Sequence, residues 1–252
     1  MWSSVKTILK RSPLRHVWWF LSARRTPHSQ ADEAAILADL IATAAIPRSF
    51  VEFGFHAHEF NCANLLGSFD GLLIDGDEES VARVRRILPR NVRAVRQFLD
   101  LDHLQVILDF CAGRELGILS VDVDGNDYWF LGRLLDLRPA MIIVEYNASL
   151  GLRRLTVPYD KDFVRQAKHE SGWYHGASLT ALHQLCTKAG YGLTGVSDSG
   201  CNAFFLRNDL LGSRRVVAPE DVYRENRLRN EWSRTTAAGQ WERIKHLPFV
   251  EV

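Results

Sequence analysis

Carboxylates gather where the apolar runs of this chain end. ILSVDVDGNDYWF closes one run with Asp122 and Asp124, and MIIVEYNASLG closes another with Glu145 and Asn147. LLIDGDEES ends a third in Asp75 and Asp77, while VEFGFHAHEFN sets Glu52 and Gly54 at the end of a fourth. An acid ending an apolar strand is costly to bury unless a ligand, a hydrogen bond or a metal satisfies it. In an open parallel sheet those ends form the ligand-binding edge, and the first turn carries glycine where the backbone must approach the ligand. Asp75 and Asp77 follow Gly54 by about twenty residues, the spacing at which an acid reaches both hydroxyls of a ribose. Together these residues read as an adenosine site; the competing reading is a tight turn followed by surface acids.

Asp122, Asp124, Glu145 and Asn147 offer two chemistries. Four oxygen-bearing side chains suit a hard ion such as magnesium, or they bind a cofactor amino group and a substrate hydroxyl directly. Strand alternation through Val123 would send Asp122 and Asp124 to one face and Val121 and Val123 to the other. A further candidate is His175 in WYHGASLTALHQLC, because an imidazole titrating near neutrality can take a proton from an attacking hydroxyl. In the same segment Ser178 reads as a helix N-cap and Gly176 as a turn. His56 and His58, one residue apart on a turn and without a Cys partner or an HExxH helix, make a poor zinc pair.

These residues need a scaffold that alternates strands and helices, and the apolar pattern predicts one of class α/β. Helices are predicted over 31–45, 61–66, 78–88, 102–110, 129–137 and 178–189. Strands are predicted over 49–53, 71–74, 92–98, 116–123 and 140–145. Two last runs, 191–196 and 203–207, flank the turn formers Ser197, Asp198, Ser199 and Gly200, so they form an antiparallel pair.

Three segments follow from the pattern: a basic amphipathic extension (1–30), the α/β domain (31–210) and a charged, partly helical tail (211–252). In the first, Lys6, Lys10, Arg11, Arg15, Arg24 and Arg25 precede the first acid, Asp32, beside apolar residues at helical spacing. That suits either a helix lying on an anionic membrane face or one packed on the domain or on a second subunit. In the tail, Trp232, Trp241 and Phe249 are the expected docking points. With 252 residues, 46% of them hydrophobic and 24% charged, the chain is of globular type. A formal charge of +1 argues against a protein that holds nucleic acid by sheer basicity, so any polyanion contact must be local. The scattered Cys62, Cys111, Cys186 and Cys201 contain no CxxC pair, which fits a reducing, cytoplasmic compartment, with membrane-peripheral contact through the first segment as the variant.

The order VEFG, IDGD, SVDVDG, IIVEYN and a closing antiparallel pair resembles the class I S-adenosylmethionine-dependent methyltransferases. SVDVDGND resembles the DVEG-type stretch of the FkbM-like members, and YHGASLTAL and GCNAFFLR resemble segments found downstream in them. The resemblance covers residues 49–207 and implies a Rossmann-like, doubly wound sheet, with S-adenosyl-L-methionine as cofactor. It implies that Glu52 and Gly54 shape the pocket for the methionine part, that Asp75 holds the ribose, and that Asp122 faces the transferred methyl group. O-methylation of a small hydroxylated acceptor, such as a sugar or secondary metabolite, would then use Asp122, Glu145 and Asn147 for orientation and His175 as base. The chain departs from the family at Phe55, His56, Ala57 and His58, which stand where a glycine-rich loop is usual. Bulky side chains there restrict positive φ and close backbone approach, so the rival expectation is a domain that has lost catalysis and serves as a binding or scaffold module. A dehydrogenase is disfavoured, because GxGxxG is absent.

Overall fold

The computed structural model describes residues 27–252, so the basic amphipathic helix expected near the amino terminus lies outside the described residues. A seven-stranded sheet organises them. Its strands are β1 (Ser49–Phe53), β2 (Asp70–Asp75), β3 (Val92–Arg96), β4 (Ile118–Val121), β5 (Met141–Glu145), β7 (Tyr191–Val196) and β8 (Asn202–Arg207). Their order is β3-β2-β1-β4-β5-β8-β7, parallel from β3 to β5 and antiparallel at β5/β8 and β7/β8. The fold is therefore the doubly wound, Rossmann-like sheet closed by an antiparallel pair that the sequence predicts. Chain direction across the sheet reverses between β1 and β4, which is the switch point where such sheets open a crevice.

Both faces of the sheet are apolar because the strands alternate between two cores. Val51, Phe53, Leu72, Ile74, Leu119 and Val121 point into a core shared with α3 (Gln105–Cys111), α4 (Asp127–Leu134) and α6 (Leu179–Lys188). Phe50, Leu73, Ile118 and Ile143 point the other way, against α1 (Glu33–Thr43) and α2 (Glu78–Val84). Continuous burial on both sides is what makes a parallel strand read as an unbroken apolar run. Glu52 breaks that run on the α1 side.

Several predicted elements differ at their ends. The helix expected over 61–66 is a short 3-10 turn, Asn61–Leu65, and β4 stops at Val121 rather than Val123. The alternation argument for Asp122 and Asp124 therefore ends one residue too early to apply. Asp124 instead sits in a turn with φ of 57°, a conformation an aspartate tolerates better than most residues. Ser178 caps α6, accepting from Ala181 N at 3.1 Å, and Gly176 supplies a turn with φ of 56°.

The carboxyl-terminal segment is built into the domain. It contains α7 (Pro219–Val222), α8 (Arg227–Ser233), α9 (Ala237–Ile244) and β9 (Val250–Glu251), and β9 pairs with β6 (Leu155–Thr156). Trp241 and Phe249 dock as predicted, 5.5 Å apart, around a small core of Leu150, Val157, Trp173, Tyr174 and Ile244. Trp232 does not dock; it is 82% exposed on α8. Among the described residues no helix is long and apolar enough to cross a membrane.

Candidate active site

A cleft of about 680 Å³ opens at the carboxyl edge of the sheet, over the ends of β1, β2 and β4. Its base is the turn after β1. Gly54 adopts φ of 79°, and a Cβ there would land on the Asp122 carbonyl, so only glycine lets the β1 turn and the end of β4 come together. The bulky residues that follow do not plug the cleft. Phe55 buries its ring edge-on against Phe60, 6.1 Å between centroids, in the core under α1, and Ala57 is buried beside it. The turn is closed by His56 and Glu59, which exchange backbone hydrogen bonds of 3.3 and 3.0 Å. His56 is exposed at the rim.

Glu52 does structural work within the cleft wall. Its two carboxylate oxygens accept from Asn61 N at 2.7 Å and Cys62 N at 2.8 Å, satisfying the open start of the 3-10 turn. Burial raises its pKa above the ordinary carboxylate value, and those same backbone bonds oppose the rise.

Asp75 is differently placed. Oδ2 accepts from Phe55 N at 3.1 Å and Oδ1 from Asp77 N at 2.6 Å, leaving one lone pair on each oxygen of a side chain that borders the cleft. Burial raises its pKa. Asp77 spends Oδ2 on Ser80 N at 2.8 Å as the N-cap of α2, and the Ser80 side chain first, then that backbone bond, hold its pKa below the ordinary value. Beyond β3, Phe98 stands 70% exposed at the cleft rim, its ring against Gly76, where a Cβ would collide with it.

Past β4, Asp122 and Asp124 both border the cleft. Asp124 pairs with Arg165 of α5 (Arg165–Lys168). Asp127 holds the turn, with Oδ1 accepting from Val123 N at 2.8 Å and Oδ2 from Gly125 N at 3.0 Å, and burial pushes its pKa up to about 6. The Asp122 carboxylate has no hydrogen-bond partner among the described residues. Burial, then the charge of Glu145, hold its pKa well above the carboxylate range.

Glu145, Asn147 and His175 come together behind this wall and do not line the cleft. Asn147 Nδ2 donates to the carbonyls of Trp173 at 2.7 Å and His175 at 2.8 Å. From α8, Arg229 donates to Asn147 Oδ1 at 2.8 Å, Ser149 Oγ at 3.1 Å and His175 Nε2 at 3.0 Å, with Glu145 Oε1 4.0 Å away. A guanidinium only donates, so Nε2 of His175 is the acceptor and the ring proton sits on Nδ1. That proton faces Glu145 Oε2 across 3.5 Å, and neither of these two buried atoms makes a shorter contact. Burial first, then Arg165 and Arg229, keep the His175 pKa well below its ordinary value. The imidazole is 0% exposed and its free lone pair is occupied, so the base role expected of it has no route to a substrate in this geometry. Burial, and then Asp124, push Glu145 up to about 8.

Two groups of acids are close enough to hold a metal: Asp122, Asp127 and Glu145, and Asp124, Glu145 and His175. Neither donor set fits a resident divalent ion. His175 carries its proton on the nitrogen that would have to coordinate, and Asp127, already accepting a backbone N–H on each oxygen, is 0% exposed and closed off from the cleft. Arg165 and Arg229 already answer the negative charge.

Four residues of this region carried little sequence signal: Glu33, Phe98, Asn202 and Arg229. Phe98 ends a predicted strand, so its exposure was within reach; the contacts of Arg229 lie 54 to 82 residues away along the chain.

No family model matches the chain, and no curated protein matches it. Among solved structures it is similar to the N-terminal domain of EvdMO1 in the presence of SAH and D-fucose, at 16% identity over 71% of this chain and 82% of that one, with a TM-score of 0.46. It is similar to an S-adenosylmethionine-dependent methyltransferase from Mesorhizobium loti, at 15% identity over 70% and 97% of the chains, TM-score 0.46. Magnesium protoporphyrin IX methyltransferase (ChlM) from Synechocystis PCC 6803, with bound SAM, gives 11% identity over 81% and 96%, TM-score 0.45. Likenesses this distant leave the chemistry to be read from the chain's own residues.

Proposed function

We propose that the cleft binds S-adenosylmethionine and that the chain is an FkbM-like methyltransferase acting on a hydroxyl of a small acceptor. Asp75 carries this reading. It ends β2 on the cleft wall with two lone pairs still unspent, the number a ribose diol needs, and the flat exposed face of Phe98 lies beside it for an adenine ring. The cleft's volume, about 680 Å³, lies within the range of small-molecule sites.

When bound, the cofactor supplies a methyl group made electrophilic by its sulfonium. The protein has then to align an acceptor oxygen and receive its proton. Asp122 suits that work, being on the cleft wall, without a hydrogen-bond partner among the described residues and more basic than an ordinary carboxylate. Glu145 behind it adds to the basicity of Asp122, because two buried carboxylates so close repel when both are charged. Arg229, His175 and Asn147 hold Glu145 in place from the far side.

The direct test is calorimetric titration of the full chain with S-adenosylmethionine and S-adenosylhomocysteine. Micromolar binding of both is expected, followed by radiolabelled methyl transfer onto members of a panel of hydroxylated compounds. No heat at millimolar ligand for either compound would end the reading.

A further inference from the structure

One face of α8 is left without cover. Asn226 and Arg229 turn inward: Asn226 Oδ1 caps the helix by accepting from Arg229 N at 2.9 Å, and the Arg229 guanidinium reaches Asn147 and His175. The outer face holds Arg227, Leu228, Glu231 and Trp232, all exposed. Leu228 is 43% and Trp232 82% exposed, and residues four apart on a helix stand on the same side. A single exposed apolar residue is ordinary, but here a leucine and an indole share one stripe. Arg227 and Arg234 flank that stripe, and neither forms an ion pair among the described residues.

The same side of the domain receives the amino-terminal part of the chain. Asp32 Oδ1 accepts from Asp198 N at 2.8 Å, Asp198 pairs with Arg224 at 3.2 Å, and Arg227 N donates to the Ser199 carbonyl at 3.2 Å. Asp32, the β7/β8 turn and the start of α8 are thus in direct contact. Residues 1–26 join the chain just before Asp32, and they hold Lys6, Lys10, Arg11, Arg15, Arg24 and Arg25 without an acid.

Charge decides what covers this face. Packing residues 1–26 on it would set their basic side chains against Arg227 and Arg234, and like charges repel. A second copy joined through the same face would oppose those arginines with its own. An anionic lipid surface attracts both sets at once, by about 1 kcal/mol for each basic residue near it. An indole, an apolar ring with one N–H, settles at the level of the lipid headgroups. A small apolar anchor alone binds membranes only marginally and needs a polybasic patch beside it, which residues 1–26 provide.

We propose that the outer face of α8 and the basic residues 1–26 form one surface that docks on an anionic phospholipid bilayer, with Leu228 and Trp232 inserted among the headgroups. None of Arg227, Leu228, Trp232 and Arg234 lines the cleft, so the surface does not depend on which ligand the cleft holds.

The test is co-sedimentation of the full chain with vesicles of phosphatidylcholine alone and of phosphatidylcholine mixed equally with phosphatidylglycerol. The wild type is expected to partition onto the mixed vesicles about tenfold or more above the neutral ones, and to be released as salt is raised. Leu228→Ser combined with Trp232→Ser should lower that partition about tenfold or more, through the loss of two inserted apolar side chains. Arg227→Gln combined with Arg234→Gln should lower it by a similar factor, about tenfold. A wild type that ignores the mixed vesicles overturns the proposal, including the case in which residues 1–26 cover α8 themselves. Equal partition onto both kinds of vesicle overturns the anionic surface as the partner. Mixed-vesicle binding that survives the double serine change intact, in a variant shown to be folded by circular dichroism, removes α8 from the contact and overturns the shared surface. If that variant does not fold, the double glutamine variant decides by the same criterion.

Discussion

Asp122 and Glu145 end adjacent parallel strands with the same chemical group, yet the two acids do different things. Asp122 faces the cleft with its oxygens unspent, whereas Glu145, one strand away, is enclosed with His175, Asn147 and Arg229. What separates them is α8. The carboxyl-terminal segment folds back over the end of β5 and inserts a guanidinium there, while among the described residues no side chain hydrogen-bonds the Asp122 carboxylate that follows β4. A strand-end carboxylate is thus free for a ligand only where no distant segment reaches it first. Asp75 and Asp77 differ for a local reason: Asp77 caps α2 through Ser80 N, whereas Asp75 bridges Phe55 N and Asp77 N at the turn.

The largest effect is expected behind the wall. Arg229→Met removes the donor from Asn147 Oδ1 and His175 Nε2 and the countercharge from Glu145, a loss of roughly 3–5 kcal/mol for a broken buried pair. Urea unfolding of the variant measures it. A cost below about 1 kcal/mol would mean that this network does not hold the back of the site and that the contrast with Asp122 is misdrawn. Arg229→Lys should recover only part, since one ammonium cannot repeat the fork on three acceptors.

In front, the expected loss is of rate. Asp122→Asn should lower turnover about 10²- to 10⁴-fold while leaving the affinity for S-adenosylhomocysteine within about threefold. Steady-state kinetics and calorimetry on one preparation separate the two quantities. Equal losses in both would assign Asp122 to the cofactor and move the base elsewhere. Asp75→Ala should do the reverse, weakening S-adenosylhomocysteine about 10- to 100-fold through lost charged hydrogen bonds. Asp77→Ala, its neighbour, is expected to leave that affinity unchanged and to cost roughly 0.5–2 kcal/mol as a lost N-cap.

Much of this arrangement was legible before any coordinates. Apolar runs bounded by acids located the five parallel strands, and the turn formers between Val196 and Asn202 located the antiparallel pair, because both patterns are local and periodic. The same signals drew Asp75 and Asp122 to the edge of the sheet. They could not divide Asp122 from Glu145, since that division depends on Arg229, 84 residues beyond Glu145 by subtraction of their positions. Nor could they foresee that Phe55 would turn into the α1 core, which depends on Phe60 and the residues beside it. Glu33 escaped for the opposite reason. An acid in the first turn of a helix ordinarily needs no explanation beyond the helix dipole, and only its burial beside Asn202 gives it another.

The smallest expected effect tests whether burial governs the titration of Glu33 on the cleft wall and of Glu145 behind it. Burial is the main cause pushing Glu33 from 4.5 up to about 7, with Glu52 and Asp32 adding to the rise, and burial pushes Glu145 up to about 8. A carboxyl whose pKa is higher in the folded chain than in the unfolded one binds its proton more tightly when folded. Its contribution to stability is therefore complete below pH 4.5 and is lost as pH rises through 7 for Glu33 and through 8 for Glu145. Thermal melts between pH 6 and pH 9 should show Tm falling as pH rises, by about 2–4 °C for each kcal/mol lost. Glu33→Gln should flatten the part of that slope centred near pH 7. A Tm that rises over this range would mean that charge compensation outweighs burial at both acids, so that neither Glu33 nor Glu145 is held protonated by the wall around it.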